Sequence, residues 1–132
     1  MPENIPENAL VLVADGRKAL LLRNTGSGAD VSLREERRLS PKNLLDEGPS
    51  GSRPEEQTTR QTDEATFAKQ LAETLFAMLQ KREFDALVLV ADPQTLGQIR
   101  DAMHKEVERS LVLTLDKNLT NHPIPEIADA LR

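Results

Sequence analysis

Ala9-Leu10-Val11-Leu12-Val13-Ala14-Asp15 recurs without change as Ala86-Leu87-Val88-Leu89-Val90-Ala91-Asp92. A continuous apolar run closed by a carboxylate reads as a fully buried parallel strand, because a strand covered on both faces has no polar side to alternate with. Two such strands make the centre of a sheet. Side by side and parallel, they bring Asp15 and Asp92 to the same carboxyl edge, which is where open α/β sheets bind ligands.

The residues that follow the two copies differ, so the repeat is not a duplicated domain. Gly16-Arg17-Lys18 follows the first copy, and Asp-Gly between apolar runs marks a two-residue hairpin turn, with both central residues at positive φ. Lys18 to Arg23 is then expected to pair antiparallel with the first strand. After the second copy, Asp92-Pro93 reads as a helix start, with the carboxylate as N-cap and proline at the first helical position. The second copy therefore opens a strand-to-helix crossover.

The 132 residues suffice for one domain, with a formal charge of −5 that leaves room for a local basic patch but not for a broad nucleic-acid surface. There is no cysteine, hence no disulfide, thiol nucleophile or cysteine metal site. The opening residues lack the basic start and apolar core of a signal peptide, and no apolar run reaches the roughly 20 residues of a membrane span. A cytoplasmic protein is expected. The only aromatics, Phe67, Phe76 and Phe84, lie in or beside one helical segment, which offers no stacking platform for bases and no readout of DNA sequence.

Asp30 to Leu39 alternates weakly, as a half-exposed edge strand does. Residues 41 to 61 are rich in proline, glycine and charge, and are expected to form a flexible loop. From Asp63, Phe67, Leu71, Leu75 and Met78 form one helical stripe, with Lys81 and Arg82 expected in the last turn. A second helix should carry Leu96, Ile99, Met103 and Val107 inward, followed by a strand from Leu111 to Leu115 and a short helix from about Pro125. Gly97 in that second helix costs up to about 1 kcal/mol relative to alanine, and a close approach to a neighbour is expected to explain it. The order βββαβαβα, with right-handed crossovers, gives an α/β fold of ribonuclease H-like architecture: a mixed five-stranded sheet ordered 3-2-1-4-5 with helices on both faces.

Two readings of the paired aspartates compete. In the first, Asp15 and Asp92 share a divalent cation with Glu64 or Glu73, as in a metal-dependent nuclease. In the second, Asp15 serves the turn, Asp92 caps the helix, and no metal is bound. The second is favoured, since nucleases of this architecture carry the first carboxylate inside the strand and Asp15 stands in the turn. His104 and His122 have no relay partner in the sequence, and no glycine-rich phosphate loop is present. No cofactor is expected. Arg17, Lys18, Arg100 and Lys117 are candidates for a phosphate- or RNA-binding cluster at the carboxyl edge or the adjoining helix, although charges so spaced are more often a solvated face.

Val13-Ala14-Asp15-Gly16-Arg17, Phe67-Ala68, Phe84-Asp85 before Leu-Val-Leu-Val-Ala, Leu96-Gly97-Gln98-Ile99-Arg100 and Asp116-Lys117-Asn118-Leu119-Thr120 together resemble the host attachment protein family, over nearly the whole chain. That family is similar to the central domain of archaeal and eukaryotic class-one release factors. The resemblance implies the ribosome or tRNA as a target. Release factors of this kind carry a Gly-Gly-Gln loop, which would correspond to residues 40–62. Here that segment offers Gly48, Gly51, Gln57 and Gln61 but no Gly-Gly-Gln, and Gly51-Ser52-Arg53 only approximates the family's glycine-arginine pair. The expected function is thus a non-catalytic binding or adaptor domain. The alternative is a hydrolase, either peptidyl-tRNA hydrolase-like through Gln57 or a nuclease through Asp15 and Asp92. The sequence sets neither the ligand nor the oligomeric state.

Overall fold

The structure, a computed structural model, describes residues 5–26, 30–40 and 60–131, with the backbone alone over 60–64. Five strands, β1 (Leu10–Ala14), β2 (Ala19–Asn24), β3 (Leu33–Leu39), β4 (Leu87–Ala91) and β5 (Leu111–Leu115), form one mixed sheet in the order β3-β2-β1-β4-β5. The helices among the described residues are α1 (Arg60–Gln80), α2 (Pro93–Ala102), α3 (Lys105–Arg109) and α4 (Ile124–Ala130). The α/β class and the strand order are those read from the sequence. The flexible loop expected at 41–61 lies outside the described residues as far as residue 59. Helix α1 already begins at Arg60, three residues before the expected start.

The repeat pairs with itself in register, Leu10 beside Leu87 through Ala14 beside Ala91, in parallel. Each side chain therefore has its own kind as lateral neighbour. Leu10, Leu12, Leu87 and Leu89 face one core, with Phe67, Leu71 and Leu75 of α1, Ile99 of α2 and Val107 of α3. Val11, Val13, Val88 and Val90 face the other, with Ile5, Leu119 and Ile127 of α4. Every residue of β1 and β4 is fully buried, as the absence of alternation requires.

The connections correct several expectations. In the first hairpin Asp15 N–H donates to the Lys18 carbonyl (2.9 Å), so Gly16 and Arg17 are the central turn residues. Asp15 keeps an ordinary backbone, since the described non-glycine residues at positive φ are Asn8 and Arg82. Its role is to cap the turn from one position earlier. At the end of α1, Arg82 N–H donates to Leu79 O and Glu83 N–H to Met78 O (2.9 Å each). This is the left-handed C-terminal cap usually built on glycine, with Arg82 at φ 61° in the glycine position. Lys81 and Arg82 thus lie beyond the last helical turn, which holds no basic residue.

The single helix expected through Val107 is two helices. Met103 is extended (φ −78°, ψ 138°) and closes α2, and the His104 ring stacks on Phe76 of α1 with centroids 3.6 Å apart and planes 5° from parallel. Met103 and Val107 are both buried, as their apolar spacing implied. Buried Asn24 ties the amino-terminal segment to the β2–β3 connection. Its amide donates to Ile5 O and Pro6 O (3.2 and 3.1 Å) and accepts from the N–H groups of Gly26 and Ser32 (3.0 and 3.2 Å).

Candidate functional site at the carboxyl edge

Strands β1 and β4 end side by side, so Asp15 and Asp92 leave the same edge of the sheet on neighbouring strands. Each carboxylate is then used locally. Asp15 Oδ1 accepts from the N–H groups of Arg17 (2.7 Å) and Lys18 (2.8 Å), and Oδ2 accepts from the Thr120 hydroxyl (2.7 Å). Asp92 is the N-cap of α2, its Oδ2 accepting from Thr95 N–H at 3.2 Å, with Pro93 at the first helical position. Asp15 stands just past the last residue of β1, in the turn rather than in the strand.

Of the two expected third ligands, only Glu73 is described to its side chain, and it does not join them. The side chain of Glu64 lies outside the described residues, and Glu73 is exposed on α1. Among the described residues no group of three or more histidine, aspartate or glutamate side chains is arranged to hold a metal ion. Gln57 is likewise outside the described residues.

The candidate residues read from the sequence do not include the partner that Asp15 finds. Thr120 is buried, at 6% exposure, and follows Leu119, which packs into the core beneath the sheet. Asn118 folds back on it, accepting from Thr120 N–H at 3.4 Å and lying 3.0 Å from its hydroxyl. The hydroxyl has one proton, which goes to the shorter, charge-assisted contact with Asp15. Lys18 Nζ donates to Asn121 Oδ1 beside this contact. Asp15, Lys18, Asn118, Thr120 and Asn121 thus clamp the first hairpin to the loop after β5. The one available signal was Asn118-Leu119-Thr120, a short polar-apolar-polar run whose apolar middle residue is an anchor.

The four candidate cations divide. Arg17 and Lys18 stand in the hairpin turn and Lys117 in the loop clamped to it, all exposed at the carboxyl edge. Arg17 and Lys117 make no ion pair with any described residue. Arg100 is elsewhere: at 1.5 Å per residue it lies about 12 Å along α2 from Asp92, away from that edge, and it faces Glu108 at 3.7 Å. His122 stands against Glu126 (3.0 Å) at the start of α4, and both are exposed. The carboxyl edge therefore presents two cations without acidic partners and a third, Lys18, engaged with an amide.

A cleft of about 560 Å³ opens at the opposite, amino edge. Arg23, Arg34 and Arg82 line it together with Glu7, Glu83 and Asp85, a balance of charge that selects no sign of ligand. Arg23 is a brace here. Its Nε and Nη2 form a fork to Glu36 (3.1 Å each), and Nη1 donates to the carbonyls of Asn8 and Glu83 (3.1 and 2.9 Å).

The pattern of bacterial archaeo-eukaryotic release factor family 12 matches residues 8–131. The chain belongs to that family. The match runs from the residue before the first repeat copy to the end of α4, so it takes in both aspartates, the hairpin and the Thr120 loop. None of the curated proteins matches the chain. Among the described residues no helix is long and apolar enough to cross a membrane.

Proposed function

We propose that this release-factor-type domain is a non-catalytic binding or adaptor protein of the cytoplasm. Its target belongs to the ribosome or to tRNA, and it is reached through Arg17, Lys18 and Lys117 at the carboxyl edge. The observation that carries the reading is the family match over residues 8–131 in a chain with no Gly-Gly-Gln. The family relation supports a ribosomal target, and the lack of that tripeptide removes the group that release factors bring to the peptidyl centre. The motifs from Val13 to Thr120 support a likeness to the host attachment proteins. Cationic side chains that make no ion pair with a described residue suit a phosphate backbone, and such contacts weaken as salt rises because bound counterions are released.

Co-sedimentation of the full chain with purified ribosomes tests this. Binding that falls steeply with salt is expected, and Arg17→Ala with Lys117→Ala should weaken it about tenfold. Arg100→Ala should leave it unchanged. Failure to sediment at low salt, or equal loss with Arg100→Ala, overturns the assignment.

Asp15 and Asp92 support the same reading against the nuclease, since a shared cation needs converging, free oxygens and these are bound to a turn, a hydroxyl and a helix start. Magnesium or manganese should leave the melting temperature unchanged. A metal-dependent rise abolished by both Asp15→Asn and Asp92→Asn would put the nuclease first.

A further inference from the structure

The two copies of the repeat end on the same aspartate and give it opposite neighbours. Gly16 follows Asp15 and Pro93 follows Asp92, and no other aspartate or asparagine in the chain precedes a glycine. A backbone nitrogen can close on the side-chain carboxyl carbon of the aspartate before it. The new bond, Gly16 N to Asp15 Cγ, completes a five-membered imide, and the amide proton leaves with the carboxyl hydroxyl as water. Water then reopens the ring. Attack at the side-chain carbonyl returns aspartate, and attack at the main-chain carbonyl gives isoaspartate, whose backbone runs through Cβ. The water lost is regained, so no oxidant or other reactant is needed. Glycine favours closure because no Cβ crowds its nitrogen, whereas proline has no N–H to give up. Asp92 is therefore an internal control within the same chain.

The fold restrains this reaction at Asp15. One carboxyl oxygen must leave, and both are bonded: Oδ1 accepts from the N–H groups of Arg17 and Lys18 (2.7 and 2.8 Å), and Oδ2 from the Thr120 hydroxyl (2.7 Å). Closure breaks at least one of these contacts whichever oxygen departs. Two of the three donors belong to the turn itself, and the third comes from a residue 105 positions away. The attacking nitrogen is free, since Gly16 N–H donates to no described residue.

We propose that Asp15-Gly16 is a site of spontaneous isoaspartate formation that the Thr120 hydroxyl holds in check, so that the hairpin converts when its clamp to the loop after β5 opens. The product carries one more backbone carbon in the turn and shifts Arg17 and Lys18. Incubation of the full chain at pH 7 followed by peptide mapping tests this, because the two forms of one peptide separate by chromatography. Isoaspartate should accumulate slowly at residue 15 and not at residue 92. It should form at least about tenfold faster in the chain unfolded in urea, where all three bonds are gone, and about fivefold faster in folded Thr120→Val, which lacks one. Thr120→Ser should match the wild type. Glu36→Gln weakens the fold at the opposite edge and leaves the clamp intact, so it should match the wild type as well. Equal rates in the folded and unfolded chains overturn the proposal, as does no gain in Thr120→Val. An equal gain in Glu36→Gln does so too, since it assigns the reaction to the globally unfolded chain. The consequence for binding rests on the proposed carboxyl-edge site, but isoaspartate is counted without ribosomes, so either conclusion can fail without the other.

Discussion

Position 97 shows how a single residue can defeat a sound local argument. Glycine in a helix interior costs up to about 1 kcal/mol, and the sequence reading assigns that cost to a close neighbour. The structure has none: Gly97 is exposed on α2, and a Cβ placed there meets nothing within 4 Å. Gly97→Ala should therefore raise stability by up to about 1 kcal/mol, seen as a higher urea midpoint with unchanged slope. A lower midpoint would restore the close-approach reading. Arg82 is the reverse case, a residue with a Cβ where glycine belongs. Its left-handed backbone costs about 1–2 kcal/mol, and the extra freedom of glycine in the unfolded chain returns about 0.5–1 kcal/mol of that. Arg82→Gly should gain about 0.5–1 kcal/mol by the same measurement, and a loss would show that the Arg82 side chain holds a contact in solution. Arg82 does not betray its backbone in the sequence, because φ at a helix end depends on where the chain must go next.

At the scale of elements, legibility follows the range of the interaction. Strands β1 and β4, the Asp92-Pro93 helix start and the Phe67–Met78 stripe were readable because burial and capping act on neighbours in sequence. The break at Met103 was not, since no proline or glycine marks it and the cause is tertiary, the seating of Met103, His104 and Val107 against α1 and the sheet. Nor was the Asp15–Thr120 bond, which joins residues 105 apart. Arg100 lies on the adjoining helix, and the direction of α2, which no local signal sets, carries it away from Arg17 toward Glu108. The clamp has a measurable strength. Thr120→Val keeps the shape, removes the hydroxyl and leaves Asp15 Oδ2 short of a donor, which should cost about 1–2 kcal/mol because Asp15 is half-buried and water replaces part of the bond. Amide exchange at Arg17 and Lys18 should quicken, while Thr120→Ser should behave nearly as the wild type. Equal losses in both variants would mean that the methyl group, not the hydroxyl, matters.

Across the whole molecule the amino edge is held by one guanidinium. Arg23 joins β2 to Glu36 on β3, to the turn at Asn8 and to the cap of α1 at Glu83, so four separate segments meet at its fork. Its hydrogen bond holds the Glu36 carboxyl below the usual glutamate value of 4.5; burial pushes the other way, and Arg34 at 3.0 Å adds to the lowering. A carboxyl with a lowered value in the folded state stabilises the fold above its unfolded value, and that contribution disappears as pH falls through the folded value. Glu36→Gln should therefore cost about 1–2 kcal/mol at pH 7, where a charged acceptor is lost from a contact that is three-quarters buried. The gap between variant and wild type should stay level from pH 7 to about 5 and close progressively below the ordinary glutamate range. Other carboxylates titrate in both proteins, so they cancel in the difference. Denaturant midpoints at pH 7, 5, 4 and 3 check this, and a gap that does not shrink with acid would mean that the glutamine fails by shape and that Arg23 is held by its two carbonyls alone.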